Sequence, residues 1–350
     1  MSTCSRRSFI KTSVAGGFAA TIISPYKSFE SFGVQEQFAT EVSVTTGDNR
    51  ADMAFRALKP FSKQIAQAIG RRRVVLKPNN VSIDIPLCAT HVDTLDGILE
   101  FMKSIGKADQ CIIAESAAGG ATMDGFSNYG YMKLLNKYPV KLVDLDAEKI
   151  ETLYVFDEKD FKPHAVRVSA VLLDKDSYVV SVARMKTHDR VVATLSLKNI
   201  VLGAPIKDKG FSWSPSRKQG TVNDKPIVHG GGYRGLNYNL YALSQQLHPH
   251  LAVIDGFEGM EGNGPNRGTP VDHRVCVAST DWFAADRVGI ELMGIDFAKV
   301  GYLNYCAQAG PGTADIAKIK IIGEPLANHV KQYRLSDNIE KQLVWMNPVS

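Results

Sequence analysis

The sequence has few cysteines, and their spacing is not that of a metal site. Among its 350 residues there are five: Cys4, Cys88, Cys111, Cys276 and Cys306. No two of them form a C-x-x-C element, so neither a built-in iron–sulfur cluster nor a structural zinc site is expected. Two of them, Cys111 and Cys276, lie inside apolar runs. This favours buried thiols over disulfides, although disulfides stay possible in an oxidising compartment.

Long apolar runs and a large net charge are also missing. No run reaches the roughly 18 apolar residues of a transmembrane helix, so no stable membrane span is expected in the mature protein. The formal net charge is only +5, and the basic residues are not interleaved with aromatic ones. Nucleic-acid binding is therefore not expected. With 44% hydrophobic and 22% charged residues, the composition is that of a globular protein and not of a disordered one.

Three of the surplus positive charges lie in the first 24 residues. The segment Ser5-Arg6-Arg7-Ser8-Phe9-Ile10-Lys11 resembles the twin-arginine export motif, and an uncharged run of small and apolar residues follows it over 12–23. This pattern is typical of a signal peptide, here assigned to residues 1–24, with a linker over 25–40. The resemblance implies that the twin-arginine translocase is a partner during export and that the mature protein is periplasmic.

Short apolar runs alternate with segments of helical periodicity along the rest of the chain. Continuous apolar runs of this length are typical of strands covered on both faces. Strands alternating with helices predict an α/β fold, with a mainly parallel, mixed sheet flanked by helices in a single large domain. This domain is assigned to residues 41–330, and 331–350 to a C-terminal tail. The predicted strands are 42–46, 73–77, 111–114, 140–145, 178–182, 251–254, 274–278 and 319–322. The predicted helices are 51–69 with a break at Pro60, 93–105, 131–138, 236–247 and 282–293.

Polar side chains follow two of these strands. Lys77 and Asn79 come directly after the second predicted strand, and Glu115 follows the third. Ligands of parallel α/β sheets bind at the carboxyl ends of strands. We therefore expect these three residues to contact a cofactor or an anionic group, although polar turns would also explain them.

Basic residues are concentrated after the strand at 178–182. Lys186, His188 and Lys198 lie close together in sequence, and Lys198-Asn199 interrupts an apolar run. Lysine near a core needs a partner, so a merely solvated basic face is a less satisfactory explanation. We expect Lys186, His188 and Lys198 to be catalytic, with His188 carrying protons or binding a metal. Asn199 and His229, the latter beside three glycines, are expected to bind a cofactor.

Three acids at a spacing of three residues follow the strand at 251–254. They are Asp255, Glu258 and Glu261, in a Gly-rich stretch that predicts a loop over 255–268. Carboxylates on flexible loops are ligands for hard cations, so a divalent metal is predicted there, with an exposed turn as the alternative. Asp286 is a weaker candidate on the helix that begins near Asp281.

The series of motifs resembles one family, the bacterial and archaeal domain of unknown function 362. The resemblance spans roughly residues 40–325 and implies that one site unites Lys77, Lys186, His188, Lys198, Asn199, His229, Asp255, Glu258 and Glu261. It implies no reaction. Some relatives carry ferredoxin-type clusters on an added segment, for which this chain lacks the cysteines. The motifs are Leu76-Lys77-Pro78-Asn79, Lys186-Thr187-His188, Leu197-Lys198-Asn199 with Gly203, His229, the 255–268 stretch, the helix start at Asp281 to Asp286, and Met293-Gly294-Ile295.

Two hypotheses for the function follow. The first is an exported, metal- or cofactor-dependent enzyme, with an oxidoreductase as one option, that acts on a small anionic substrate. The second is a periplasmic binding or delivery protein that takes up an anionic ligand or a metal without turnover. The same residue types would serve both, so the sequence leaves the choice open.

Overall fold

Apolar, β-branched runs form the central strands of a nine-stranded sheet. The computed structural model describes residues 40–214, 218–310 and 314–347; the predicted signal peptide and, apart from Thr40, the predicted linker lie outside them. The strands are β1 (Thr40–Thr46), β2 (Arg73–Lys77), β3 (Cys111–Glu115), β4 (Lys141–Asp144), β5 (Ile150–Phe156), β6 (Pro163–Ser169), β7 (Ser177–His188), β8 (Val192–Thr194), β9 (Leu251–Asn263), β10 (Arg267–Ser279) and β11 (Ile319–Gly323).

The sheet is mainly parallel, as predicted. Its order is β11-β1-β10-β9-β7-β2-β3-β4, with β8 paired to β7. Within it, only β10 and β8 pair antiparallel with their neighbours among the described strands. Strands β5 and β6 form a separate antiparallel hairpin. The carboxyl ends of β2, β3 and β7 consequently meet at one edge, where a ligand site is expected.

Helices cover both faces of the sheet. The described α-helices are α1 (Arg50–Leu58), α2 (Ser62–Ile69), α3 (Val92–Ser104), α4 (Thr122–Asn128), α5 (Ser196–Gly203), α6 (Tyr233–Ser244), α7 (Trp282–Leu292), α8 (Gly301–Ala309) and α9 (Ile339–Gln342). On β2, Val74 and Leu76 pack with α1 and α3, while Val75 packs on the opposite side with α5 to α8. This alternation follows from the two-residue period of a strand. The prediction of a single α/β domain with a flanked sheet is confirmed.

Two predictions about local structure are corrected. The stretch 255–268 is not a loop: residues 255–263 belong to β9, 264–266 form the turn, and 267–268 begin β10. Its glycines leave space for side chains from elsewhere: a Cβ on Gly259 would lie 2.0 Å from Tyr333 Oη. The described part of the predicted tail packs onto the domain. Tyr333 and Gln342 are buried there, and Gln342 Oε1 accepts a hydrogen bond from the Val192 amide at 2.7 Å.

The four cysteines of the domain are free and buried, which confirms the preference for buried thiols. Burial raises the pKa of the Cys306 thiol to about 11. Across the described residues, no helix is both long and apolar enough to cross a membrane.

Helix α5, which carries Lys198 and Asn199, is held at both ends by buried ionisable groups. The Asp286 carboxylate on α7 accepts hydrogen bonds from the amides of Ser196 at 2.7 Å and Leu197 at 3.0 Å. At the other end, Lys225 Nζ donates to the carbonyl of Gly203 at 3.2 Å. An acid at the amino end and a base at the carboxyl end both complement the helix dipole. Asp286 therefore positions α5, and it does not line the cleft described below.

Replacing Asp286 with Asn should destabilise the fold by about 1–3 kcal/mol. The amide keeps one acceptor, but its Nδ2 then faces a backbone N–H that has no other partner. Urea unfolding followed by circular dichroism measures this loss. Asp281→Asn is the matched control, because Asp281 caps α7 through the Ala284 amide and Asn caps helices equally well. Equal stability of Asp286→Asn and the native chain would contradict the assigned role.

Candidate functional site

A cleft of about 870 Å³ opens at the carboxyl ends of β2, β3 and β7. This volume lies in the range of small-molecule sites, roughly 300–1,000 Å³. Six of the residues predicted from the sequence line it: Lys77, Asn79, Glu115, His188, Lys198 and His229. Two more, Lys186 and Asn199, lie beneath it in contact with Asn79. The topology of the sheet thus brings together residues that are more than 150 positions apart in the chain.

A buried ion pair forms the floor of the cleft. Lys77 Nζ donates to Glu115 Oε1 at 2.6 Å, to Asn199 Oδ1 at 3.2 Å and to the Pro78 carbonyl at 2.9 Å. All three of its hydrogens are thereby used. Burial lowers the pKa of Lys77, and the neighbouring Glu115 carboxylate opposes that effect. Removing either partner would leave an uncompensated buried charge, which is strongly destabilising.

Two asparagines connect this pair to the neighbouring elements. Asn199 Oδ1 accepts from Asn79 Nδ2 at 3.0 Å, and Asn199 Nδ2 donates to the Lys77 carbonyl at 3.1 Å. Asn79 Oδ1 in turn accepts from Lys186 Nζ, whose other partner is the Cys88 carbonyl at 2.7 Å. Burial among neutral partners lowers the pKa of Lys186 to about 8. Lys186 therefore belongs to the floor and is not among the residues that line the cleft.

Lys198 differs from the lysines of the floor. Lys198 is only 6% exposed and lines the cleft, yet its Nζ forms no hydrogen bond or ion pair with the described residues. Burial, with a smaller contribution from Lys186, lowers the pKa of Lys198 to about 7. The hydroxyl of Thr194, which also lines the cleft, is buried without a partner. Unpaired buried polar groups are rare, and the Thr194 hydroxyl, which is one among the described residues, lines the same cavity as Lys198.

The histidines of the cleft are neutral at neutral pH. His188 Nδ1 accepts a hydrogen bond from the Arg190 amide at 3.0 Å, so the proton of the neutral ring is on Nε2. Burial, followed by the charge of Lys198, lowers the pKa of His188 well below its usual value. The same two causes, in that order, lower the pKa of His229 to about 4. The Arg190 guanidinium, also in the lining, packs over the Tyr233 ring at 5.5 Å.

The three acids predicted as metal ligands do not meet. Asp255 accepts from Thr94 Oγ1 at 2.7 Å, and Glu258 pairs with Arg184 Nη2 at 2.9 Å. Glu261 accepts from the backbone amide of Arg334 at 2.9 Å. None of the three lines the cleft. A divalent-cation site at these residues therefore finds no support in their placement.

The donor groups available for a metal are few. In the part of the chain that the structure describes, no group of three or more His, Cys, Asp or Glu side chains is arranged to hold a metal ion. His188 and His229 are the imidazoles of the cleft. Two nitrogen donors are fewer than the three protein ligands of a typical catalytic zinc site.

Several residues of the site were not predicted individually. Arg184 is buried and donates to the carbonyls of Pro86 and Ala89, which fixes the segment after Asn80. Lys207 pairs with the buried Asp146, and Trp213 lines the cleft. Lys207 and Trp213, like Lys225, lie within 203–235, a stretch rich in Gly, Pro, Ser and Lys. That composition marks a functional loop, but it does not distinguish a buried lysine from a solvated one.

Comparisons with known proteins identify relatives of this chain. A thylakoid-associated protein of Synechocystis sp. is 25% identical over 230 residues, which are 65% of this chain and 65% of that protein. The matched region thus spans just under two thirds of that relative. A crystal structure of a Thermotoga maritima protein aligns with a TM-score of 0.39 at 10% identity, over 71% of this chain and 60% of that one.

The family comparison covers the part of the chain that builds the cleft. Residues 74–291 match the family described as domain of unknown function (DUF362). That range runs from β2 to α7 and includes the ion pair of the floor, Lys198 and both histidines. Because the match covers more than half of the chain, this protein belongs to the family of the domain of unknown function 362.

Proposed function

We propose that the cleft binds a small anionic substrate and that the protein is an enzyme in which Lys198 exchanges a proton with that substrate. The observation that carries the proposal is the Lys198 amine, which lines the cleft and forms no hydrogen bond with any residue that the structure describes. A buried amine of this kind is stabilised in its charged form by an anion. An anionic group of a substrate in the cleft would be a suitable hydrogen-bonding partner for it.

The surroundings of Lys198 favour an anion over a cation. Arg190 brings a permanent positive charge, and the Thr194 hydroxyl and His188 Nε2–H are uncharged donors. Hydrogen bonds from such donors to an anionic oxygen are shorter and stronger than those between neutral groups. Of the acids that also line the cleft, Glu115 is neutralised by Lys77, and Asp84 is exposed. Asp189 raises the pKa of Lys198, but burial and Lys186 lower it by more.

The protonation states suit acid–base chemistry. With a pKa of about 7, Lys198 populates both its neutral and its charged form near neutral pH. The charged form, which binds the anion, can therefore donate a proton to the substrate and take it back, which is most efficient when the pKa lies near the working pH. His188, neutral and with its proton on Nε2, is suited to donate a hydrogen bond to an oxygen on which negative charge develops.

Anion binding should weaken as the pH rises. The charged form of Lys198 predominates below pH 7, and an anion binds that form, so affinity is lost as the amine deprotonates. We expect the affinity for sulfate, whose own charge is constant here, to fall roughly thirtyfold from pH 6 to pH 8.5. Isothermal titration calorimetry across this range provides the measurement.

Two variants separate this effect from a general effect of charge. Lys198→Met should bind sulfate weakly with little pH dependence, whereas Lys133→Met, at an exposed position outside the cleft, should behave like the native protein. An affinity that is independent of pH in the native protein, or an unchanged pH profile in Lys198→Met, would refute the role of Lys198 in anion binding.

Lys198→Arg tests turnover against binding alone. Arginine keeps the positive charge but does not deprotonate, so anion binding should persist at high pH while catalysis is lost. Mass spectrometry of small molecules that copurify with each protein should find substrate on Lys198→Arg and product, or no ligand, on the native chain. The same unaltered ligand on both proteins would instead support a binding or delivery protein without turnover.

We further propose that the twin-arginine route exports the protein to the periplasm. Support comes from the sequence alone, in the order of Arg6-Arg7, Phe9 and the uncharged run after Lys11. Replacing both Arg6 and Arg7 with Lys should leave the protein in the cytoplasm. Cell fractionation with immunoblotting measures this, with Lys11→Arg as the control. Periplasmic protein in equal amount from the double variant would argue against this route.

A further inference from the structure

One wall of the cleft carries a tryptophan that is held in place but open to solvent. Trp213 Nε1 donates to the Ala118 carbonyl at 3.2 Å, and the Phe211 ring packs edge-to-face at 5.0 Å. A Cβ on Gly119 would lie 2.3 Å from Trp213 Cδ1, so the indole lies directly against the Gly119 backbone. Even so, Trp213 is 64% exposed. The ring is therefore positioned from one side, with its remaining surface free.

The segment that carries Trp213 is attached to the same strand end as the floor. Asn223 Nδ2 donates to the Ala118 carbonyl at 2.9 Å, the acceptor that Trp213 also uses. Lys207, at the start of the segment, pairs with the buried Asp146. The position of the indole therefore follows from contacts with the turn after β3, the strand that ends in Glu115.

The lining of the cleft combines cationic and apolar side chains. Lys198 and Arg190 are the first kind, whereas Ile83, Ile85 and Trp213 form an apolar wall. Ile83 packs over Gly120, where a Cβ would lie 2.5 Å from its Cδ1. A volume of about 870 Å³ is far more than an inorganic anion needs, and it suits an organic molecule with a body of its own.

We infer that the substrate is an organic anion with a planar ring, whose charged group meets Lys198 while its ring stacks on Trp213. This inference rests on the proposed anion site and adds the chemical class of the rest of the molecule. Indole is the best stacking surface among the side chains because of its large π-system. An exposed indole that is already fixed in place also binds a ligand ring more favourably than a mobile one. Less side-chain conformational entropy is lost when the ring stacks on it.

Matched pairs of anions with and without a ring test the inference. The probes are methanesulfonate against 1-naphthalenesulfonate and acetate against 1-naphthoate, titrated at pH 6 by calorimetry and by tryptophan fluorescence. In the native protein we expect each naphthyl anion to bind about tenfold more tightly than its methyl counterpart and to quench fluorescence. In Trp213→Ala the preference should fall below about threefold, with methyl anions bound as before.

Tyr154→Ala is the matched control, because Tyr154 is similarly exposed at 65% but lies outside the cleft. It should keep the preference for naphthyl anions. Equal affinities within each pair in the native protein, or a preference that survives Trp213→Ala, would overturn the inference while leaving the anion site intact. Failure of all four probes and of sulfate to bind would instead refute the anion site and, with it, the inference.

Discussion

The pairing of Lys77 with Glu115 is the interaction on which the site depends. It joins the ends of β2 and β3 without access to solvent, and through Asn199 it also fixes helix α5. A charge in this position has no alternative partner, so the surrounding backbone must keep the geometry that satisfies it. The amides and carbonyls around the pair are consequently ordered before any ligand arrives, which is the condition for an electrostatically preorganised site.

The lysines of this region differ in their hydrogen-bonding partners, although burial lowers the pKa of both Lys198 and Lys225, which line the cleft, to about 7. Lys77 has a carboxylate partner, and Lys225 has carbonyl oxygens at the end of α5. Lys198 has neither, although it lies one position before Asn199, which is fully engaged. Among the described lysines that line the cleft, Lys198 is the one without a hydrogen-bonding partner. The proton exchange proposed above is assigned to Lys198 for this reason.

Much of the fold could be predicted from the sequence because burial on both faces of the sheet demands continuous apolar runs. The runs at 73–77 and 111–114 coincide with β2 and β3 for this reason. Within the hairpin of β9 and β10, the sequence predicts a loop over 255–268, since the glycines and acids of that stretch are typical of turns. The contacts that this stretch makes come from residues far away in the chain. Tyr333 packs against Gly259 from 74 positions away, and Arg184 forms an ion pair with Glu258. The composition of the stretch itself does not indicate that these distant partners are present.

For the site as well, features set by neighbouring residues in the sequence could be predicted, whereas features set by distant residues could not. Strand ends are local features, so the positions of Lys77, Asn79, Glu115 and His188 could be predicted. The number of partners available to each charge is not local. Asp255, Glu258 and Glu261 have the composition of a cation site, yet the guanidinium of Arg184 and the side chains of Thr94 and Arg334 lie beside them. Only the assembled structure reveals which charges are already satisfied.

The floor and the wall of the cleft are built differently, and this affects how substitutions can change the range of ligands that such a protein binds. Its floor consists of strand ends whose side chains depend on one another, so a single replacement there disturbs the whole. Its wall consists of segments such as the one that carries Trp213, which touches the floor's strand through a few hydrogen bonds. Substitutions in the wall can therefore change which molecules the cleft accommodates, while the residues of the floor and their contacts stay the same.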